Sequence, residues 1–457
     1  MTFYADARVQ TWLSVCLTAK GFSAMAYDSG VSASRPLEKT ALPQPLTMVL
    51  EQLWQPAIQT GEVRVMLGKP LKNDGWYDAE RYQVLPSAGR ASLLIPAGPR
   101  AATTGSLLNY RGLRRNRTNA QRVVLGGLAR SGAPLPFPRL TIQVSASDRG
   151  DGPRLPLAVV AHDLGVSEVF ASIGVRTGAD RKTTLQVVSG DGAPAGFAKF
   201  AWNSRSSLAV RHEAAALRAT TQQSQARTPA LLAHGEYYGW PYIVTAPLPV
   251  RSKGLRATVP APTPAEIFSL LPIVRSDRIA DTAQFRQVRE RLVALCDVGG
   301  EHRRAASAAG SLLELMNQED VEIPVTVRWH GDFTPWNLAR DHEGTLWCWD
   351  WELSQEDAVA GLDSIHWHAT VAIEAGEWLD GTTLTRALRA AESTLVAAGV
   401  PRSQWAMVAG VYAATMVERA CTLALGAGGW DLDWVTPAHL SDVLATAHRL
   451  VRTAIAS

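Results

Sequence analysis

Apolar and polar positions alternate in short runs through the first part of the chain, to about residue 150. EVRVML, RYQVLP, ASLLIP and RLTIQVS each read as a strand. A stretch from about Ser106 to Arg130 carries a helical, arginine-rich pattern, so residues 1–150 are expected to form an N-terminal α/β accessory module. SDRGDGPRLP, residues 147–156, is dense in turn formers and makes a natural boundary. Beyond it the period of two returns in EVFASIGVRT, KTTLQVVS and GFAKFAWN, separated by the turn sequences GADR and GDGAPA, which predicts a meander. SSLAVRHEAAALRAT opens on serines suited to an N-cap and continues with strong helix formers. YYGWPYIVTAPLP adds a strand ending in prolines, and from about Pro262 helical spacing dominates. The pattern predicts an α+β fold, β-rich over 151–250 and helical over 251–457, with a cleft between the two parts.

Length and composition sharpen this picture in two respects. At 457 residues the chain exceeds what one hydrophobic core usually organises, and no stretch approaches the roughly 18 uninterrupted apolar residues of a membrane span. TWLSVCLTA, near the start, is preceded only by Arg8 and lacks a small-residue cleavage site, so a soluble, cytoplasmic chain is expected rather than an exported one. Cys16, Cys296, Cys348 and Cys421 are too scattered for a zinc site and predict free, buried thiols. The net charge of +3 conceals an asymmetry: no acid lies between Arg81 and Ala146, whereas Asp341 to Thr385 holds ten acids and no Lys or Arg. The basic stretch reads as an exposed or interlobe helix surface, with an anionic partner as the other reading and no nucleic-acid motif present. The acidic stretch either attracts a cationic substrate or is made of ligands, caps and a solvated face.

The chemistry concentrates in RWHGDFTPWN, residues 328–337, and LWCWDWE, residues 346–352. VTVRWHGD alternates as a strand leading into Asp332, TLWCWDW alternates too, and DHEG between them is a tight turn. With Asp341 opposite Gly344, Asn337 falls opposite Cys348 and Asp350 is its diagonal neighbour, roughly 7 to 8 Å away at the backbone. Two converging oxygens at that separation suit magnesium, a hard cation often held by only one or two protein groups. Asp332 sits in the entering loop, where it can face an incoming hydroxyl.

H-G-D-x-x-x-x-N followed by a strand ending in D-W-E resembles the aminoglycoside phosphotransferase and choline kinase family, small-molecule relatives of the protein kinases. The resemblance covers about 151–457 and implies a bilobal protein-kinase-like fold, with Asp332 as catalytic base, Asn337 and Asp350 as magnesium ligands and His330 bracing the loop. It also implies a lysine on an upstream strand paired with a glutamate on the next helix. Lys199 and Glu213 fit, since Glu213 interrupts an inward stripe with Val210 and Leu217 and needs a cation; Lys182 is the rival lysine. Asp363, in GLDSIHW, takes the place of an acid that fixes the catalytic core. GVRTGADR, with Gly174 and Gly178, departs from the glycine-rich loop of protein kinases, and Tyr242 to Pro249 is the expected connector between lobes.

The function so implied is ATP-dependent transfer of the γ-phosphate to a hydroxyl of a small molecule, whether sugar, amino sugar or amino alcohol, with ATP and magnesium as cofactors. The alternatives are a non-catalytic nucleotide-binding scaffold that recruits a partner through its basic module, and a metal-dependent hydrolase using His330, Asp332 and the histidines of IHWH. Five of fifteen tryptophans fall between 329 and 351 and read as core, and His366 and His368 read as packing or local hydrogen bonds.

Overall fold

A computed structural model describes residues 42–68, 75–114, 116–145, 155–176, 182–220, 225–255 and 260–457. TWLSVCLTA, Cys16 and most of the turn-rich 147–156 and 177–181 segments, Gly178 included, lie outside the described residues. The fold is mixed α+β, with one large antiparallel sheet and many helices.

The large sheet has nine strands. Four come from the first segment, β1 (Val63–Leu67), β2 (Trp76–Leu85), β3 (Leu93–Pro96) and β4 (Arg139–Ser145). The meander supplies β5 (Phe170–Gly174), β6 (Thr183–Val188) and β7 (Pro194–Phe200). After β8 (Ala226–Arg227), which belongs elsewhere, β9 (Leu231–Tyr237) and β10 (Trp240–Thr245) complete it in the order β1-β4-β2-β3-β5-β6-β7-β10-β9. The strands on either side of the expected boundary therefore join, Leu93 opposite Gly174 and Leu94 opposite Ile173. One core runs through both, from Trp54, Tyr82 and Leu94 to Ile173, Leu185 and Phe200. Alternation then turns Ser172, Gln186, Phe197 and Lys199 to the opposite face. The first segment reaches that face as well: the Tyr110 and Phe197 rings lie 5.2 Å apart, and Arg114 Nη2 donates to Gln186 Oε1 at 3.3 Å.

Several expectations shift in detail. The predicted Ser106–Arg130 helix is two helices, Arg100–Leu108 and Asn116–Ser131, parted at Tyr110, which has a left-handed backbone (φ 57). Asn203, not a serine, caps the Ser204–Ala219 helix: its side chain accepts from Ser206 N at 2.8 Å while Ser206 Oγ accepts from Asn203 N at 3.0 Å. YYGWPYIVTAPLP spans a hairpin, since β9 ends and β10 begins around Tyr238-Gly239, so Tyr242 to Thr245 is strand and only the residues from Ala246 onward leave the sheet.

The helical part holds two small sheets that the sequence pattern blurred. β11 (Lys253–Gly254), β14 (Leu338–Arg340), β15 (Leu346–Cys348) and β8 form one, while β12 (Ile273–Arg278), β13 (Glu322–Trp329) and β16 (Gln355–Val359) form the other. Around them pack the helices Ala283–Cys296, Gly300–Asn317, Leu362–Glu374, Trp405–Ala427 and Pro437–Ala456. One span among the described residues, Arg402–Ala427, is long and apolar enough to cross a membrane, with mean hydropathy 1.2, but 78% of that window is buried and it carries Glu418 and Arg419 as a central core helix.

Candidate functional site

The β14–β15 hairpin closes one residue later than expected. Leu338 pairs with Cys348 and Arg340 with Leu346, because Gly344 (φ 86) sits inside the turn and Asp341 faces Thr345. Asp341 Oδ1 stabilises that longer turn by accepting from the backbone N–H groups of Glu343 and Thr345, each at 3.0 Å. Asn337 accordingly meets Trp349 rather than Cys348: Trp349 N donates to Asn337 O at 3.1 Å. Asp350 then leaves the strand in a left-handed conformation (φ 71), so simple alternation does not decide where its carboxylate points.

That carboxylate meets Lys199. Lys199 Nζ donates to Asp350 Oδ1 at 2.6 Å and to both Glu213 oxygens at 2.7 and 2.6 Å. Side-chain exposure is 3% at Glu213, 13% at Lys199 and 29% at Asp350, so the lysine bridges a fully interior acid and one at the rim. Burial alone depresses an ammonium, yet the two carboxylates outweigh it and the Lys199 pKa is raised. Asp350 suffers desolvation too, but Lys199 and Lys182 hold its carboxyl well below the usual range. Lys182 is ion-paired to Glu352, two residues past Asp350. Glu213, Asp350 and Glu352 each offer an oxygen within 4.8 Å of the others.

Asp332 and Asn337 are joined directly, Asn337 Nδ2 donating to Asp332 Oδ2 at 2.8 Å and to its carbonyl at 3.1 Å. The loop that carries them is held from below. Buried Asp363 accepts from His330 N at 2.9 Å and Gly331 N at 3.1 Å, and burial pushes its carboxyl up to about 7 against the pull of those amides. Gly331 is required at its place: its φ is 82, and a Cβ there would collide with the Leu353 carbonyl. His330 Nδ1 accepts from Asp332 N at 3.1 Å, so Nε2 carries the proton it donates to Trp349 O at 3.1 Å. The imidazole thus ties the loop to the residue before Asp350.

Burial pushes His330 down to about 4, and this has a measurable sign. A depressed imidazole contributes stability that is complete above its unfolded value of 6.5 and is lost as pH falls toward 4. Between about pH 7 and about pH 5 this residue alone is expected to cost about 2 kcal/mol. Urea unfolding of His330→Gln should lose about that much less over the same interval, with Asp363 titrating equally in both proteins. Equal losses would remove His330 from the account.

Sequence reasoning missed three contributors. His366, read as packing or a local hydrogen bond, does pair with Tyr412 Oη at 3.2 Å through Nδ1, but its reach to the site, Nε2 3.6 Å from Asp332 Oδ1, was not foreseen. Arg419 donates to Gly331 O from within the long apolar helix and lies 4.7 Å over the Trp329 ring. Its signal was a charge inside a run of alanine, valine and leucine. Glu352, the last residue of D-W-E, has no role in the motif as the resemblance implies it. Of the tryptophans, Trp329 and Trp351 are core, whereas Trp336 is 39% exposed beside Asn337. Cys348 and Cys421 are buried free thiols and Cys296 is partly so. The chain matches no protein-family model and no curated protein, so the site is read from its own geometry.

Proposed function

We propose that the chain is an ATP-dependent phosphotransferase of bilobal protein-kinase-like fold, moving the γ-phosphate to a hydroxyl of a small molecule such as a sugar, amino sugar or amino alcohol. The observation that carries this reading is Lys199, gripped by Glu213 on the neighbouring helix and by Asp350 from the far side, with Asp350 tied through Trp349 to the Asp332–Asn337 loop. That arrangement offers a cation for phosphates, hard oxygens for a metal and a carboxylate for a hydroxyl proton within one connected unit.

The donor set suits magnesium. Asn337 commits its amide nitrogen to Asp332, which leaves Oδ1 as the atom to offer a cation, and Asp350 adds a carboxylate held ionised by its lysines. Magnesium, when bound, neutralises charge on the phosphate oxygens during transfer. Lys199, oriented by Glu213, holds the α- and β-phosphates. Asp332 orients the acceptor hydroxyl and takes its proton, and Asp363, His330 and Arg419 keep the loop in place for it. Both His330 nitrogens are spent on backbone groups, which counts against the hydrolase reading in which that ring binds a transition metal.

The test is coupled ADP release over a library of hydroxylated metabolites with magnesium and ATP. Magnesium-dependent ADP release with at least one acceptor is expected. Tight magnesium-ATP binding without ADP release on any acceptor would replace the enzyme reading with the scaffold.

A further inference from the structure

Lys182 is a cation of the site that the mechanism above does not use. It stands immediately before β6, and β6 pairs with β7 so that Thr184 lies opposite Lys199; alternation therefore puts residues 182 and 184 on the face that carries Lys199. Its side chain is 6% exposed, an unusual position for a lysine unless it is paired. The pair is made with Glu352, which is 27% exposed and sits in the short turn after Asp350. Lys199, Asp350, Glu213 and Arg176 all act on Lys182 electrostatically, so three cations and three carboxylates share one electrostatic cluster.

The two lysines are not equivalent. Lys199 bonds both Glu213 oxygens and the rim carboxylate Asp350, whereas among the described residues Lys182 pairs with one carboxylate, on a long, rotatable side chain at the rim. Burial, then the neighbouring Lys199, lowers the Lys182 ammonium to about 8. An ammonium is a compact point charge with three donors and is well suited to phosphate.

We infer that Lys182 is a second phosphate-binding cation of this site, specific for polyphosphates, and that Glu352 is the group a polyphosphate displaces from it. The inference rests on the nucleotide reading above and deepens it. A chain of three phosphates spans both lysines, whereas a single phosphate engages one. Exchange of the Glu352 carboxylate for a phosphate keeps Lys182 neutralised and frees Glu352, so no buried charge is stranded.

The experiment is calorimetric titration of the full-length chain with ATP, AMP and inorganic tripolyphosphate, each in chelator to remove divalent ions and so exclude any role of Glu352 as a metal ligand. Lys182→Met is expected to weaken ATP and tripolyphosphate at least about tenfold and to leave AMP unchanged. Glu352→Gln, which removes the competitor, is expected to tighten both polyphosphates. Should Lys182→Met fold poorly, Lys182→Met with Glu352→Met removes both ends of the pair, and its polyphosphate affinity should fall likewise. Unchanged polyphosphate affinity in either lysine variant, with a wild type that binds, overturns the inference and leaves the nucleotide reading standing. Lys182-dependent binding of tripolyphosphate, with no nucleotide bound in chelator or with magnesium restored, supports the anion site and overturns the nucleotide reading. A wild type that binds none of the probes in chelator overturns the inference, and one that binds no ATP with magnesium restored overturns both.

Discussion

Asp332→Asn is expected to lower turnover by about 100-fold or more while nucleotide affinity stays within about twofold. The substitution is nearly isosteric, and an asparagine oxygen can still accept the 2.8 Å bond from Asn337 Nδ2, so the loop keeps its shape. The ties from Asp363, His330 and Arg419 reach the backbone of the loop and do not involve the Asp332 carboxylate. What is lost is the capacity to accept a proton from an acceptor hydroxyl, and Asp363, spent on the loop's amides from below, is not placed to replace it. His366, 3.6 Å away, is held neutral by burial and adds a polar neighbour without replacing the charge. Rapid-quench measurement of the chemical step should therefore show the loss, whereas calorimetric binding of magnesium-ATP should not. A variant that turns over its substrate at the wild-type rate would strip Asp332 of its role.

Lys199→Met is expected to destabilise the protein by about 3–5 kcal/mol and to abolish measurable ATP binding. Methionine fills much of the lysine volume, so the cost is electrostatic rather than a cavity. Glu213, at 3% exposure, would be left as a buried charge with its cation gone, and Asp350 would lose its closest partner. The double variant Lys199→Met/Glu213→Gln removes the stranded charge, and urea unfolding should recover a large part of the stability, although ATP binding stays lost. That split separates a lysine that merely neutralises Glu213 from one that also meets phosphate. If the single variant unfolds within about 1 kcal/mol of wild type, Glu213 has another source of compensation.

The parts of this site that were legible in the sequence are those set by local periodicity. GFAKFAWN alternates, so the face of Lys199 followed from a period of two, and Val210, Glu213 and Leu217 at helical spacing put a carboxylate inward. Asp332, Asn337 and Asp350 were legible as a spaced motif. Their mutual arrangement was not, because it depends on two left-handed residues, Gly344 and Asp350, one of which lengthens the turn while the other redirects a side chain after the strand. Arg419, His366 and the partner of Lys182 were invisible for a different reason. Each acts across a long sequence separation, and nothing in local spacing encodes which distant loop a side chain will reach. The join between β3 and β5 belongs to the same class: turn-rich sequence marked 147–156 as a boundary, and composition cannot tell a linker from a crossover within one sheet.

That join decides where the sheet is vulnerable. Antiparallel ladders expose unpaired amides and carbonyls only at their outermost strands, here β1 and β9. A sheet beginning at β5 would instead present FASIG, an uncharged and mostly buried strand, as a template for self-association. The early segment thus serves as a guard on the flank of the lysine-bearing strands, moving the open margin away to β1, where Arg64 adds a charge.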